Sequence, residues 1–251
     1  MRDRGWFGLV GAPLFLFLLL PVVALGLKGV GPLQSTFQAP EAREALAVSF
    51  RTTAASLVIL VALGTPLAFF LSAGRSWPVK AIETVVQLPL VLPPAAAGIA
   101  LLLALGRHGL VPTSMPFTAA AVVAAQVFVA APIFVQAAST AFHSVSADLL
   151  DLAATEGATG LRAVVRVALP IAAPGLLGGA LVAWARMLGE FGATILFAGN
   201  LVGRTQTLPL AIYLGFEMDL DQAIGLSFML LVVAAAVLIL ARVILRPATT
   251  N

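Results

Sequence analysis

Few side chains in this sequence have the type and spacing to do chemistry. Arg186 and Glu190 stand four residues apart within an otherwise apolar run. On a helix they share one face and can pair, which lowers the penalty for ionised groups near lipid. Two roles fit that pair: a structural link fixing a helix end, or a gate element that changes partner between states. His108 and His143 are isolated beside loop ends, and the sequence has no His-Glu-x-x-His spacing. Neither a zinc site nor a Ser/His/Asp constellation is therefore expected. The only lysines, Lys28 and Lys80, lie outside any Gly-x-x-x-x-Gly-Lys-[Ser/Thr] phosphate loop, so the chain cannot be its own ATP-driven motor by that route. With Cys 0 there is no disulfide, thiolate metal site or cysteine nucleophile. No catalytic residue, metal ligand or bound cofactor is expected in this chain.

The elements that must position these residues are membrane spans. The 251 residues are 61% hydrophobic and 10% charged, with a mean hydropathy of +1.06, far outside the range of a soluble domain. The formal charge of +3 bears on orientation and gives no reason to expect a nucleic-acid partner. A charge near the bilayer centre costs roughly 2.5–3.5 kcal/mol on insertion scales, so spans lie where about 20 residues run without one. That rule predicts an all-α membrane protein of one domain, residues 1–251, with six spans over 5–27, 52–74, 84–106, 117–142, 170–192 and 222–241. The first apolar run is longer than a typical signal-peptide core, so it is expected to be retained as a helix. Placing both termini in the cytoplasm puts Arg2, Arg4, Arg75, Lys80, Arg162, Arg166, Arg242 and Arg246 inside, and Lys28, Arg43, Arg51, Arg107 and Arg204 outside. Eight against five, with Arg186 within the membrane, favours that orientation.

Between the fourth and fifth spans, Leu149, Leu152 and Ala153, then Leu161, Val164, Val165 and Ala168, recur at helical spacing. They predict two short amphipathic helices separated by Gly157 and Gly160. Asp148 and Asp151 open the first helix and Arg162 and Arg166 lie on the second, giving either a docking element or an ordinary loop. Within the membrane, Pro89, Pro93, Pro94 and Gly98 interrupt the third span; the freed carbonyls need a protein neighbour or a water-lined path. Gly175-x-x-x-Gly179 offers a small-residue face for close helix packing.

The run Asp151-Leu-Ala-Ala-Thr-Glu-Gly157, nine residues to Val167, then Ala168-Leu169-Pro170, resembles the cytoplasmic "EAA" loop of ABC importer permeases. Asp151 replaces Glu, Leu152 the first Ala and Val167 the Ile of that pattern, while the spacing is kept. Leu188-Gly-Glu-Phe-Gly-Ala-Thr-Ile-Leu-Phe-Ala-Gly-Asn200 and Gly203-Arg-Thr-Gln-Thr-Leu-Pro-Leu-Ala-Ile-Tyr213 resemble the molybdate/tungstate branch of the oxyanion permeases, near relatives of the sulfate/thiosulfate permeases. Leu88 to Pro94 and Leu105 to Gly109 resemble the third-helix region of the same branch.

The resemblance implies the type I, MetI-like permease fold, with residues 148–170 as a coupling helix seated on a cytoplasmic ATPase subunit. Asp151, Ala153, Gly157, Leu169 and Pro170 would form that coupling element. It also implies a homodimer with a second copy of the chain, two ABC ATPase subunits that hold the ATP and Mg, and an extracytoplasmic oxyanion-binding protein, in a bacterial or archaeal inner membrane. The transported species would be molybdate or tungstate, with sulfate or thiosulfate as the alternative. A secondary transporter or channel is the remote alternative, since it should show paired broken helices and one broken span is evident. A free Glu190 carboxylate would repel a dianion. Neutral donors, Thr194, Asn200 and the backbone N–H groups near Gly189, Gly192 and Gly199, are the path candidates alongside the broken segment at Pro93 and Pro94.

Overall fold

The computed structural model describes residues 3–74 and 76–244. Arg2, Arg75 and Arg246, which enter the orientation count above, lie outside them. The helices are α1 Asp3–Gln38, α2 Pro40–Ala73, α3 Trp77–Val91, α4 Pro94–Leu105, α5 Ala119–His143, α6 Ala147–Thr155, α7 Leu161–Ala163, α8 Leu169–Leu188, α9 Gly192–Ala198, α10 Leu208–Met218 and α11 Leu220–Ile244. A π-helical turn, Val164–Ala168, joins α7 to α8. Among the described residues five helices are long and apolar enough to cross a membrane, or six spans if the bent pair α3/α4 counts as one.

The core forms around α5, which packs against α2 and α8 over much of its length. Its alanines let neighbours approach: a Cβ on Gly175 would stand 2.5 Å from Ala141 Cβ and one on Gly179 2.7 Å from Ala137 Cβ. The predicted small-residue face of α8 is thus a contact with α5, as the spacing of Gly175 and Gly179 implied. Phe134, fully buried, fills the space left by Gly64 of α2. At one end of the bundle Leu71, Val79, Phe142, Val145 and Ala168 close a cluster next to α6. At the other end Ala42, Ala45, Leu208, Leu226 and Met229 form a second one. The apolar window of α1 contains no buried residue within one chain, as suits a helix largely surrounded by lipid or another subunit.

Several boundaries differ from the sequence expectation. The first span runs on from Leu27 to Gln38, and the second begins at Pro40 rather than Thr52. Charge-free runs mark where a helix meets lipid; the helix itself continues past the charge into water, where its ionised groups are solvated. The third span is not one helix over 84–106: α3 and α4 are bent by 119° at Leu92–Pro93. At 15 residues α3 extends about 22 Å, short of the roughly 30 Å hydrocarbon layer. The fifth span begins at Leu161 instead of 170 and ends at Leu188. Of the residues assigned to its outer end, Gly189–Phe191 form a break and Gly192 opens a separate short helix, α9, that runs to Ala198. Between the fifth and sixth spans lies a further short helix, α10, for which no span was expected.

Candidate functional site: a coupling segment and two broken helices

At the α6 end of the bundle, α6 stops in a Schellman motif. Gly157 has φ +83°; its N–H bonds Ala154 O at 3.1 Å, and the N–H of Ala158 reaches back to Ala153 O at 2.8 Å. Only a residue tolerant of the left-handed region fits such a turn without strain, which is why Gly stands there. Asp151 is exposed on the first helix, while Ala153 is half-buried behind it. The apolar side chains predicted to give these helices a buried face are instead open: Leu149 is 45%, Leu152 60% and Leu161 76% exposed. An apolar face that the chain itself leaves uncovered fits a docking element better than an ordinary loop.

The second predicted short helix is continuous with the fifth span. Leu169 N–H donates to Val164 O, five residues back, which is the π register. Pro170 explains it: the ring lacks an N–H and crowds the carbonyl four residues earlier, and the wider turn makes room. Leu169 is half-buried against the core cluster of Phe142 and Ala168 while Pro170 is exposed. α6 touches both α7 and this π turn, so the part of the long helix next to α6 is the part with altered register.

Inside the membrane, the two interrupted helices meet. A Cβ on Gly192 would stand 2.4 Å from Pro94 Cβ, and one on Gly98 2.8 Å from Ala193 O. The start of α4 and the start of α9 thus abut, with glycine required on both sides of the crossing. The broken span evident in the sequence is the one bent pair among the described residues; the chain is interrupted again at Gly189–Phe191, after α8 has completed a span of its own and before the short α9. Pro93, Pro94 and Gly189 are exposed within the single chain.

Glu190 is almost fully buried. Its Oε1 accepts the Ala193 N–H at 2.9 Å, and its Oε2 lies 2.8 Å from Arg186 Nη2. That second contact is off the N–H direction, leaving Oε2 without a directed hydrogen bond, so the attraction is coulombic. The predicted Arg186–Glu190 pair is present, and Glu190 also caps α9. The first turn of α9 is consequently occupied by the chain's own carboxylate, which removes the Ala193 N–H from the donors that might face an anion. Thr194 is completely buried with Oγ1 unbonded. Asn200 Nδ2 reaches Leu210 O at 3.4 Å, tying the end of α9 to α10, while Asn200 Oδ1 has no partner. Pro94, Glu190, Gly192 and Thr194 are thus gathered at the α4/α9 crossing; Asn200 lies beyond α9, towards α10, and the residues expected to couple, Asp151, Ala153, Gly157, Leu169 and Pro170, are at the α6 end of the fold.

Sequence reasoning missed a buried polar layer. Gln126 of α5 donates to Thr52 Oγ1 at 3.2 Å and accepts from Ser56 Oγ at 2.8 Å. Trp184 Nε1 donates to Thr53 Oγ1 at 3.1 Å, and Leu208 N–H donates to Ser49 Oγ at 2.8 Å. One face of α2 therefore fixes α5, α8 and the first turn of α10. The signal was available: Ser49, Thr52, Thr53 and Ser56 recur at helical spacing in an apolar run. Among the described residues no group of three His, Cys, Asp or Glu could hold a metal ion.

The profile of the binding-protein-dependent transport system inner membrane component family matches residues 61–246. The chain is 43% identical, over 89% of its length and 88% of the relative's, to the molybdenum transport system permease protein ModB of Mycobacterium tuberculosis (strain ATCC 25618 / H37Rv). It is 36% identical to the molybdenum transport system permease protein ModB of Escherichia coli (strain K12) over 66% of this chain and 77% of that one. Among solved structures, a bacterial alginate ABC transporter in complex with its alginate-bound periplasmic protein matches with TM-score 0.78 at 17% identity, covering 100% of this chain and 96% of that one. An inward-facing methionine ABC transporter matches with TM-score 0.60 at 20% identity, covering 82% and 93%. The all-helical architecture is that of the ABC importer permeases with the MetI-like fold, and the chain belongs to the family of binding-protein-dependent transport system inner membrane components.

Proposed function

We propose that this chain is the membrane-spanning subunit of an ABC importer for molybdate, with tungstate as an equivalent tetrahedral dianion, working as a homodimer with two ATPase subunits and an extracytoplasmic oxyanion-binding protein. The observation that carries the substrate is the 43% identity across 89% of the chain to a molybdenum transport permease. Hydrolysis belongs to the ATPase subunits, which hold ATP and Mg. The exposed Leu149, Leu152 and Leu161 are the surface the ATPase covers. Closure of the ATPases moves α6, and the continuous α7–α8 segment carries that motion to the crossing of α4 and α9. ATP binding favours the outward-open state only by the difference in docking free energy between states. Thr194 and Asn200 are the neutral groups nearest the path, Thr194 with an unpartnered hydroxyl that becomes a donor to the dianion only where the α4/α9 crossing opens, and Glu190, held by Arg186 and the α9 backbone, is the scaffold behind them. Both termini face the cytoplasm, with Lys and Arg in excess on that side.

ATP-dependent uptake into proteoliposomes containing the full assembly, with molybdate, tungstate and sulfate in competition, tests this reading. Uptake of labelled molybdate that tungstate suppresses and sulfate does not is the expected result. Equal competition by sulfate would move the chain to the sulfate branch, and ATP-independent uptake would refute the importer reading.

A further inference from the structure

At the end of α2 opposite α6, a groove of about 430 Å³ is lined by Arg43, Glu44, Ala47, Arg51 and Gly203, within the size range of small-ligand sites. We infer that this groove is an oxyanion site: Arg43 and Arg51 hold the dianion at the outer mouth of the permease before it enters the path. The assignment rests on the import reading above and adds a site to it.

Four observations carry it. Arg43, Ala47 and Arg51 follow one another at four-residue steps, so both guanidiniums border one groove, about 12 Å apart along the helix axis and each on a long side chain able to reach between. Among the described residues the one ion pair is Arg186–Glu190, so neither arginine has a carboxylate within 4 Å, although Glu44 shares the groove. The opposite wall is the turn Leu201–Arg204, where Gly203 has φ +70°. A Cβ on Gly203 would come within 2.9 Å of Glu44 Oε2, so glycine both allows the turn and leaves room for that carboxylate, which reaches across the groove to this wall. Finally, Arg51 is twenty residues from Leu71, which packs in the core cluster beside α6. That distance is about 30 Å of helix, one hydrocarbon thickness, which puts the groove at the membrane surface opposite the coupling segment.

The chemistry suits a transit site. Guanidinium forks bind tetrahedral oxyanions through paired N–H donors, and a cationic mouth raises the local anion concentration and the rate of capture. Glu44 limits the affinity, so the anion is released inward instead of being trapped. A phospholipid phosphate offers the same acceptors, so the test must separate the two sources.

The complete transporter, in discs of phosphatidylcholine, is treated with phenylglyoxal, and modification of Arg43 and Arg51 is read by peptide mass spectrometry with Arg107 as the reference. Molybdate should slow modification of both arginines several-fold relative to chloride at equal ionic strength and leave Arg107 unchanged. Glu44→Gln should strengthen that protection, a gain that misfolding cannot mimic. If phosphatidylglycerol protects and molybdate does not, the groove holds lipid phosphate and the inference is overturned; protection by neither overturns it as well. In uptake assays the Arg43→Gln/Arg51→Gln transporter should be several-fold slower at low substrate and less sensitive to salt, while receptor-stimulated ATP hydrolysis persists. Unchanged uptake would remove the site and leave the import reading standing. Absence of molybdate uptake by the unsubstituted assembly would instead overturn the import reading.

Discussion

Gly157 provides the sharpest test of the coupling segment because its surroundings isolate one physical effect. Its φ is +83°, and a Cβ there would have nothing within 4 Å, so a substitution is penalised by the backbone alone. Alanine in the left-handed region costs about 1–2 kcal/mol, a factor of about 5–30 in the population of the native turn. Asparagine, which tolerates that region, should lie between glycine and alanine. Proline is worse: its φ is fixed near −65° and it deletes the Gly157 N–H bond to Ala154 O, worth about 1 kcal/mol more. The fold should survive, because α6 packs chiefly on α7 and the π turn, while the Phe142–Val145 cluster is untouched. Uptake and ATP hydrolysis measured together in proteoliposomes should give transport in the order Gly, Asn, Ala, Pro. The proline variant should remain a folded dimer whose transport is uncoupled from hydrolysis. Wild-type molybdate uptake per ATP in Gly157→Pro would refute the assignment of Gly157 as the joint.

Other substitutions probe the crossing of α4 and α9. Arg186→Ala leaves the buried Glu190 carboxylate without its cation and should destabilise the protein by about 2–4 kcal/mol, at the lower side for a buried pair because Arg186 is part-exposed; Glu190→Gln, which keeps an acceptor for the Ala193 N–H, should cost less. Thermal unfolding in detergent ranks the two, and the reverse order would refute the scaffold role of Glu190. Gly192→Val forces a methyl group into Pro94 and should cost about 1–3 kcal/mol by overpacking, with a fall in uptake; wild-type stability would show that the two half-helices do not abut. Thr194→Val removes a buried hydroxyl that has no partner, so stability should hold or rise by about 1 kcal/mol while uptake or its selectivity falls. Unchanged transport would strike Thr194 from the path. Gln126→Leu should lower stability by about 1 kcal/mol, since it removes two buried hydrogen bonds while Thr52 and Ser56 keep the Val48 and Val123 carbonyls as acceptors, readable as a shift in unfolding temperature.

What the sequence disclosed follows from which forces are local. Charge-free runs located the lipid-crossing regions because the penalty for a buried charge acts residue by residue, yet the same rule truncated α1 and α2, whose hydrated ends extend past Lys28 and before Thr52. The Gly175-x-x-x-Gly179 contact with α5 was legible for a similar reason: two small residues one turn apart leave a gap that a neighbour must fill. The bend at Leu92–Pro93 was visible as proline, but its 119° was not, since proline says where a helix can break and packing against α9 sets the direction. The α8/α9 break was the least legible. No proline marks it, and α9 exists because the Glu190 carboxylate caps it and Gly192 and Gly98 admit α4. The Arg186–Glu190 pairing predicted from spacing is therefore correct in geometry and incomplete in meaning: the carboxylate whose charge would repel a dianion is the one that satisfies the backbone of the half-helix beside the proposed path. An acidic residue can then sit beside an anion path without closing it, because its charge is offset by Arg186 and its second oxygen is committed to Ala193.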